Sequence, residues 1–166
     1  MRAYLLLLTV VLMGCRPDPS VPESTGAGTA VVAEGTVRQV GSAPIAATRI
    51  ETEEGPVVVV GPLAMEIARA IGAVARVHGV VSGSSGSDTI RAETYELVSV
   101  DGLSPLVGIL GLAGGKLTVA TGYGQRVEIA GASDRMRSAV GSKIWVTTRD
   151  DGRSVVRWGI LRQRDP

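Results

Sequence analysis

The sequence has no phenylalanine, one histidine and one cysteine, and aromatic residues make up 3% of its 166 positions. Each shortage closes off a class of chemistry. A single cysteine, Cys15, cannot form a disulfide within the chain or a redox pair, so the core itself must hold the fold. One histidine with one cysteine cannot assemble a zinc site, and a hydrolytic triad would have His78 as its only imidazole base. Neither sign of charge is in excess: 17 Lys and Arg stand against 16 Asp and Glu. With acids and bases interspersed along the chain, nothing suggests the phosphate neutralisation on which nucleic-acid affinity depends. The stretch Ser82-Gly83-Ser84-Ser85-Gly86-Ser87 is glycine-rich but lacks the Lys-Ser/Thr pair and following helix of a phosphate-binding loop. It reads as a hairpin loop.

What the sequence does contain begins at its N-terminus. Arg2 precedes an apolar run from Tyr4 to Met13, broken only by Thr9, and the run ends in Leu12-Met13-Gly14-Cys15. The run is too short for a permanent membrane span and has the length of an export-signal core; the alternative is a buried N-terminal helix with an incidental cysteine. The four residues ending at Cys15 resemble the lipobox of bacterial lipoproteins. That resemblance implies that residues 1–14 are a signal peptide, removed on processing, and that Cys15 becomes the lipid-attached N-terminus. The remaining chain is then formally neutral and carries no free thiol. Arg16 stands where enterobacterial lipoproteins retained at the inner membrane have aspartate, so the resemblance implies the periplasmic face of the outer membrane, with the inner membrane as the alternative.

Residues 15–29 mix proline, glycine and small polar side chains with almost nothing to bury and read as a disordered tether. Beyond them the apolar content is Val, Ala, Leu and Ile, and the chain holds 22 glycines, a balance that favours short strands joined by tight turns. Strands are expected over residues 30–40, with Gly35 at a bend, over 46–53, with Thr48, Ile50 and Thr52 opposite a wet face of Arg49, Glu51 and Glu53, and over 56–60. Gly61-Pro62 opens a helix with Pro62 at its first position, Leu63, Ile67, Ala70 and Ile71 on its apolar side and Glu66 and Arg69 facing away. Gly72 ends it. Strands at 74–81 and 89–100 follow. The second half repeats the order in compressed form: strands at 106–112, 116–121 and 126–130, a helix capped by Ser133 and stopped by Gly141, then strands at 144–149 and 155–162.

Three strands, a helix and two strands is the order of the OB-fold, a small five-stranded barrel with one short helix. Over residues 30–101 the chain resembles small periplasmic bacterial OB-fold proteins in strand order and size. The expected fold is therefore mainly β, with one OB-like unit at 30–101 and a second at 102–166. The rival is a larger barrel or sandwich in which the second half supplies extra strands.

The OB resemblance directs attention to Arg49 and Glu51 on the sheet and to the loops around residues 41–44 and 82–88. Arg76 and His78 share one side of the strand after the first helix. Tyr123 lies in a glycine turn. Trp158 groups with Val156 and Ile160 as core, whereas Trp145 falls with Lys143 and Thr147. Two placements are open for Trp145: exposed near Tyr123, anchoring a partner or stacking on a sugar, or in the joint between the units, which is favoured. The first unit's only aromatic is Tyr95, so it lacks the stacking platform of nucleic-acid-binding OB proteins. The acidic residues Glu51, Glu53, Glu54, Asp150 and Asp151 lie in or beside turns, where carboxylates make local hydrogen bonds. We expect no catalytic or metal-binding residue and no cofactor. The expectation is a lipid-anchored envelope protein serving as a non-enzymatic binding or scaffolding module for a protein, peptide or small polar ligand. Its partners would be the membrane, through the lipid, and another envelope protein, with no nucleic acid. The alternatives are an envelope hydrolase using the acidic turns and an oligonucleotide-binding OB protein.

Overall fold

The computed structural model describes residues 28–42, 46–81 and 89–164. The expected signal segment 1–14, Cys15, most of the expected tether, part of the expected turn at 41–44 and the expected loop at 82–88 lie outside the described residues. Strands and helices follow in the expected order: β1 (Ala30–Val40), β2 (Ala47–Thr52), β3 (Gly55–Val60), α1 (Ala64–Ala68), β4 (Val74–Val81) and β5 (Thr89–Ser99). The second half supplies β6 (Leu106–Ala113), β7 (Lys116–Thr121), β8 (Arg126–Glu128), α2 (Asp134–Ser138), β9 (Lys143–Thr148) and β10 (Val155–Arg162).

The protein is mainly β, with two five-stranded sheets and two short helices. In the first half β1 pairs with β2, β2 with β3, β3 with β5 in parallel, β5 with β4 and β4 back with β1, so the strands close on themselves. The second half pairs in the order β10-β9-β6-β7-β8. Its open side, between β8 and β10, is crossed by one parallel bridge, Ala130 to Ser154. There the Ala130 N–H donates to the Arg153 carbonyl at 2.9 Å and the Val155 N–H to the Ala130 carbonyl at 3.1 Å. This bridge stands where β3 and β5 pair in the first half.

The two halves match residue by residue where the chain is most constrained. In β1 the stretch Ala30–Thr36 pairs with β4 and Thr36–Val40 with β2. In β6, likewise, Leu106–Ile109 pairs with β9 and Gly108–Ala113 with β7. Each changeover carries a glycine pressed on the neighbouring strand. A Cβ on Gly35 would stand 2.0 Å from the Glu51 carbonyl oxygen, and one on Gly108 would stand 2.2 Å from that of Ala120. Two residues on, the Val37 carbonyl accepts from the Gly72 N–H at 3.0 Å, and the Leu110 carbonyl accepts from the Gly141 N–H at 2.8 Å. Gly72 and Gly141 both have positive φ, 86° and 92°, which lets each chain leave its helix and rejoin the sheet. The second copy is shorter: β8 has three residues against six in β3, and β10 has eight against eleven in β5.

The first helix is shorter than its apolar spacing predicts. Leu63 is its N-cap and makes no side-chain cap bond, and Pro62 lies before it, in a turn where the Ala64 N–H reaches the Gly61 carbonyl at 3.1 Å. After Ala68 the bonds tighten to i−3, from Arg69 to Glu66 at 3.2 Å and from Ala70 to Ile67 at 2.9 Å, as short helix ends commonly do. In the second unit Ser133 caps α2 as expected, its Oγ accepting from the Met136 N–H at 3.3 Å. Ser133→Ala should lower stability by about 1 kcal/mol, read as a shift in the urea midpoint with unchanged slope.

The described residues form two cores. Val37, Ile50, Val59, Ile67, Val77 and Ile90 belong to the first, and Leu110, Val119, Met136, Ile144 and Val146 to the second. Trp145 and Leu161, from the second half, are buried in the first core. The first barrel therefore completes its packing with side chains from β9 and β10.

Candidate functional site

Four of the six candidate binding residues come together. On β1, Ala33 and Val37 point into the barrel, so Val32, Glu34, Thr36 and Arg38 lie on its outer face. Register places them opposite His78, Arg76, Glu51 and Arg49 in turn. Strands β2, β1 and β4 thus present one continuous polar face. Arg76 is held on it by Glu34 at 2.8 Å and Glu96 at 3.3 Å. His78 is exposed. Arg38 and Arg49 oppose each other directly, an arrangement that is unfavourable between like charges. The Arg49 Nε is buried with no hydrogen-bond partner among the described residues.

The other two candidates are placed apart. Tyr123 is 97% exposed at the tip of the β7–β8 turn, whereas Trp145 is 8% exposed and belongs to the first core. The exposed placement of Trp145 is therefore corrected and the joint is where it sits. The physical reason is that β9 lies between two cores, with Ile144, Trp145, Val146 and Thr147 all buried, so neither of its faces is wet. Trp158 is corrected in part. It is half-buried against the second core beside Ile160, but Val156 is 48% exposed because a register irregularity between Val155 and Arg157 interrupts the alternation.

Glu66 was expected to face solvent and instead is 7% exposed. Its Oε1 accepts from the Tyr95 hydroxyl at 2.6 Å and from the Lys143 ammonium, and Arg162 Nη1 lies 3.8 Å from Oε2. Lys143 Nζ lies 3.2 Å from the Tyr95 oxygen and 4.7 Å from its ring centroid. The cluster joins α1 and β5 of the first unit to β9 and β10 of the second. Burial pushes the Glu66 carboxyl up, but hydrogen bonds from Lys143 and Tyr95 and the charges of Lys143 and Arg162 outweigh it and hold the group below the usual range. Burial raises the Tyr95 phenol, and the hydrogen bond to Glu66 and its charge push it further in the same direction. An ionised carboxylate locked to an ammonium, with a phenol kept protonated, holds surfaces together; the shifts of Glu66 and Tyr95 both run away from proton exchange near neutral pH.

Of the acidic turn residues, Asp151 is engaged in its own turn. Asp151 accepts from the Arg153 and Ser154 N–H groups at 2.8 Å each and from the Ser154 hydroxyl. The Ser154 hydroxyl, followed by the two backbone N–H groups, holds its carboxyl down to about 2. Glu34, Glu53 and Glu54 line an open groove of about 400 Å3 with Val32 and Val57. Among the described residues, no three His, Cys, Asp or Glu side chains form a metal-holding group.

Charge is segregated between the units in a way that the even total conceals. Residues 30–101 contain five Lys and Arg against nine Asp and Glu, and residues 102–166 contain ten against five. A groove of about 500 Å3 lies where the units meet, lined by Arg69 and Ile71 after α1, Arg135 on α2, and Trp158, Gly159 and Gln163 on and after β10. Gly159 was the one sequence signal for it, since a lone glycine inside a strand marks a close approach: a Cβ there would stand 2.6 Å from the Trp145 Nε1.

No protein-family model matches the chain, and neither a curated protein nor a solved structure matches it. Among the described residues no helix is long and apolar enough to cross a membrane.

Proposed function

We propose that this protein is a non-enzymatic binding module of the cell envelope, built from two OB-like units and held to a membrane by lipid on Cys15. The observation that carries the reading is the strand circuit β1-β2-β3-β5-β4 with a parallel β3–β5 pair and a helix between its third and fourth strands, the order of an OB barrel. Its repetition at Gly108, Leu110 and Gly141 supports two such units. The outer face bearing Arg49, Glu51, Arg76 and His78 is the contact surface, for a protein, a peptide or a small polar ligand. Tyr95, the first unit's only aromatic, is turned into the joint, which argues against base stacking on this face. Against the hydrolase alternative stands Asp151, whose carboxyl is depressed, the direction opposite to that of a general acid at neutral pH. The lipobox-like Leu12-Met13-Gly14-Cys15 supports the anchor. Stable attachment takes more than one acyl chain, at about 0.8 kcal/mol per buried methylene, and lipoprotein processing supplies them.

Three measurements test this reading. Cys15→Ser should abolish incorporation of labelled fatty acid and release the protein from the membrane fraction; undiminished labelling would remove the anchor. A photo-crosslinkable residue at Glu51 or His78 in the native envelope should give a discrete adduct that the same residue at Lys116, on β7, does not. Identical patterns from all three positions would remove the contact face. Turnover of a substrate by purified protein, lost on Asp151→Asn, would replace the binding reading with the hydrolase.

A further inference from the structure

The groove between the units combines four features. First, β10 is the last strand of its sheet. Its described neighbours leave the side away from β9 unpaired beyond the bridge at Ser154, except that Arg69 Nη1 donates to the Leu161 carbonyl at 3.1 Å. An unpaired strand edge is a template for another strand. Second, the eight lining residues include two arginines, one from each unit, Arg69 and Arg135, and no carboxylate; Arg135 belongs to the unit whose bases outnumber its acids two to one. Third, Trp158 and Ile71, the latter 55% exposed, give the groove an apolar wall. Fourth, the Trp145 Nε1–H is buried with no acceptor among the described residues, in a side chain only 8% exposed. It lies directly behind Gly159, which contributes no side chain to cover it. Buried donors without acceptors are rare in folded proteins and call for an explanation.

We infer that this groove takes an extended acidic segment of a partner protein. The segment adds along β10 at Trp158–Gly159, sets a carboxylate on Arg135 and Arg69, and lays an apolar side chain on Trp158 and Ile71. Strand addition supplies main-chain hydrogen bonds, and alternate side chains supply the selectivity. Bidentate guanidinium–carboxylate pairing accounts for the preference for acids. The inference rests on the binding-module reading but uses a surface separate from the Arg49–His78 face.

The test uses the full chain and a fluorescein-labelled eight-residue peptide alternating Val and Glu, followed by anisotropy and by tryptophan fluorescence. The peptide should bind saturably, and its Val–Lys counterpart should not. Arg135→Glu, on the exposed side of α2, should weaken binding at least tenfold. Arg137→Glu, on the same helix but outside the groove, should change it less than twofold. N-methylation of alternate peptide amides should abolish binding, as strand pairing requires. Equal losses from Arg135→Glu and Arg137→Glu would show diffuse charge attraction and overturn the proposal. So would undiminished binding of the N-methylated peptide, full displacement by millimolar acetate or phosphate, or titration behaviour that tracks self-association of the chain. None of these outcomes bears on crosslinking from Glu51 or His78, so the two readings fail separately.

Discussion

Lys143→Met should cost about 3–5 kcal/mol of stability, the range for removing one partner of a buried ion pair, with the lower end expected because Lys143 is a quarter exposed. The loss arises at Glu66. Its carboxylate is 7% exposed and would keep only the Tyr95 hydroxyl and a guanidinium 3.8 Å away whose own side chain is 62% exposed. The pH dependence should change sign as well. In the parent protein the folded-state pKa of Glu66 lies below its ordinary value. Its contribution is therefore complete above the unfolded carboxylate range and is lost as pH falls through the folded value. Without the ammonium, burial dominates and the folded-state pKa rises above the unfolded one. The variant should therefore gain stability as pH is lowered from 7 to 5, where the parent does not. Urea unfolding at both pH values reads the two slopes. Adding Glu66→Gln to Lys143→Met should recover much of the loss, since the orphaned charge goes with it. A double-mutant cycle with no coupling would show that the joint does not depend on this pair.

That joint is also where sequence reading stops being informative. Strand positions were legible because glycine and turn residues punctuate the chain: β1, β4, β7 and β10 fall on the expected residues, and Gly35 marks a close approach of β1 to β2. The wet face of β2 was legible too, with Thr48 and Ile50 buried and Glu51 exposed, because one side of that strand meets solvent. What alternation cannot specify is a strand covered on both sides. β9 buries four consecutive residues; alternation sets Trp145 apart from Ile144 and Val146 but does not by itself say whether its face meets solvent or the neighbouring unit. A five-residue helix has the same weakness. One turn of α1 offers too few repeats to fix which side is inward, so Glu66 was assigned outward on charge, although its partners Lys143 and Arg162 lie far along the chain and in the other unit. The charge imbalance between halves was present in the sequence but acquires meaning only once the units are separated. Of the candidate site, the Arg49–His78 face could be assembled from strand order and alternation. The groove could not, because Arg69, Arg135 and Trp158 meet only when the units pack.

Gly35→Ala and Gly108→Ala should each destabilise the protein by about 3 kcal/mol or more, at or above the upper end for overpacking, and by similar amounts. A new Cβ would stand 2.0 Å from the Glu51 carbonyl oxygen and 2.6 Å from its carbon in the first case, and 2.2 Å and 2.7 Å from those of Ala120 in the second. These are backbone atoms of the neighbouring strand, paired on both of its sides, so no side-chain rotation relieves the clash. Relief requires strand 1 of the unit to separate from strand 2 at the point where it leaves strand 4, which strains both pairings. Gly111, three residues along β6, provides the control. Its phantom Cβ meets nothing nearer than the Thr118 hydroxyl at 3.4 Å, and its φ is outside the positive region. Gly111→Ala should therefore be neutral or stabilising by about 0.4–1 kcal/mol through the reduced freedom of the unfolded chain. Urea midpoints of the three variants separate close approach from a general intolerance of side chains in strands. A large loss at Gly35 beside a negligible one at Gly108 would mean that the second sheet bends by other means, and the residue-level equivalence of the two units would be lost with it. Matched losses would place the same steric requirement in both halves: a first strand that must pass within touching distance of its neighbour in order to serve two partners.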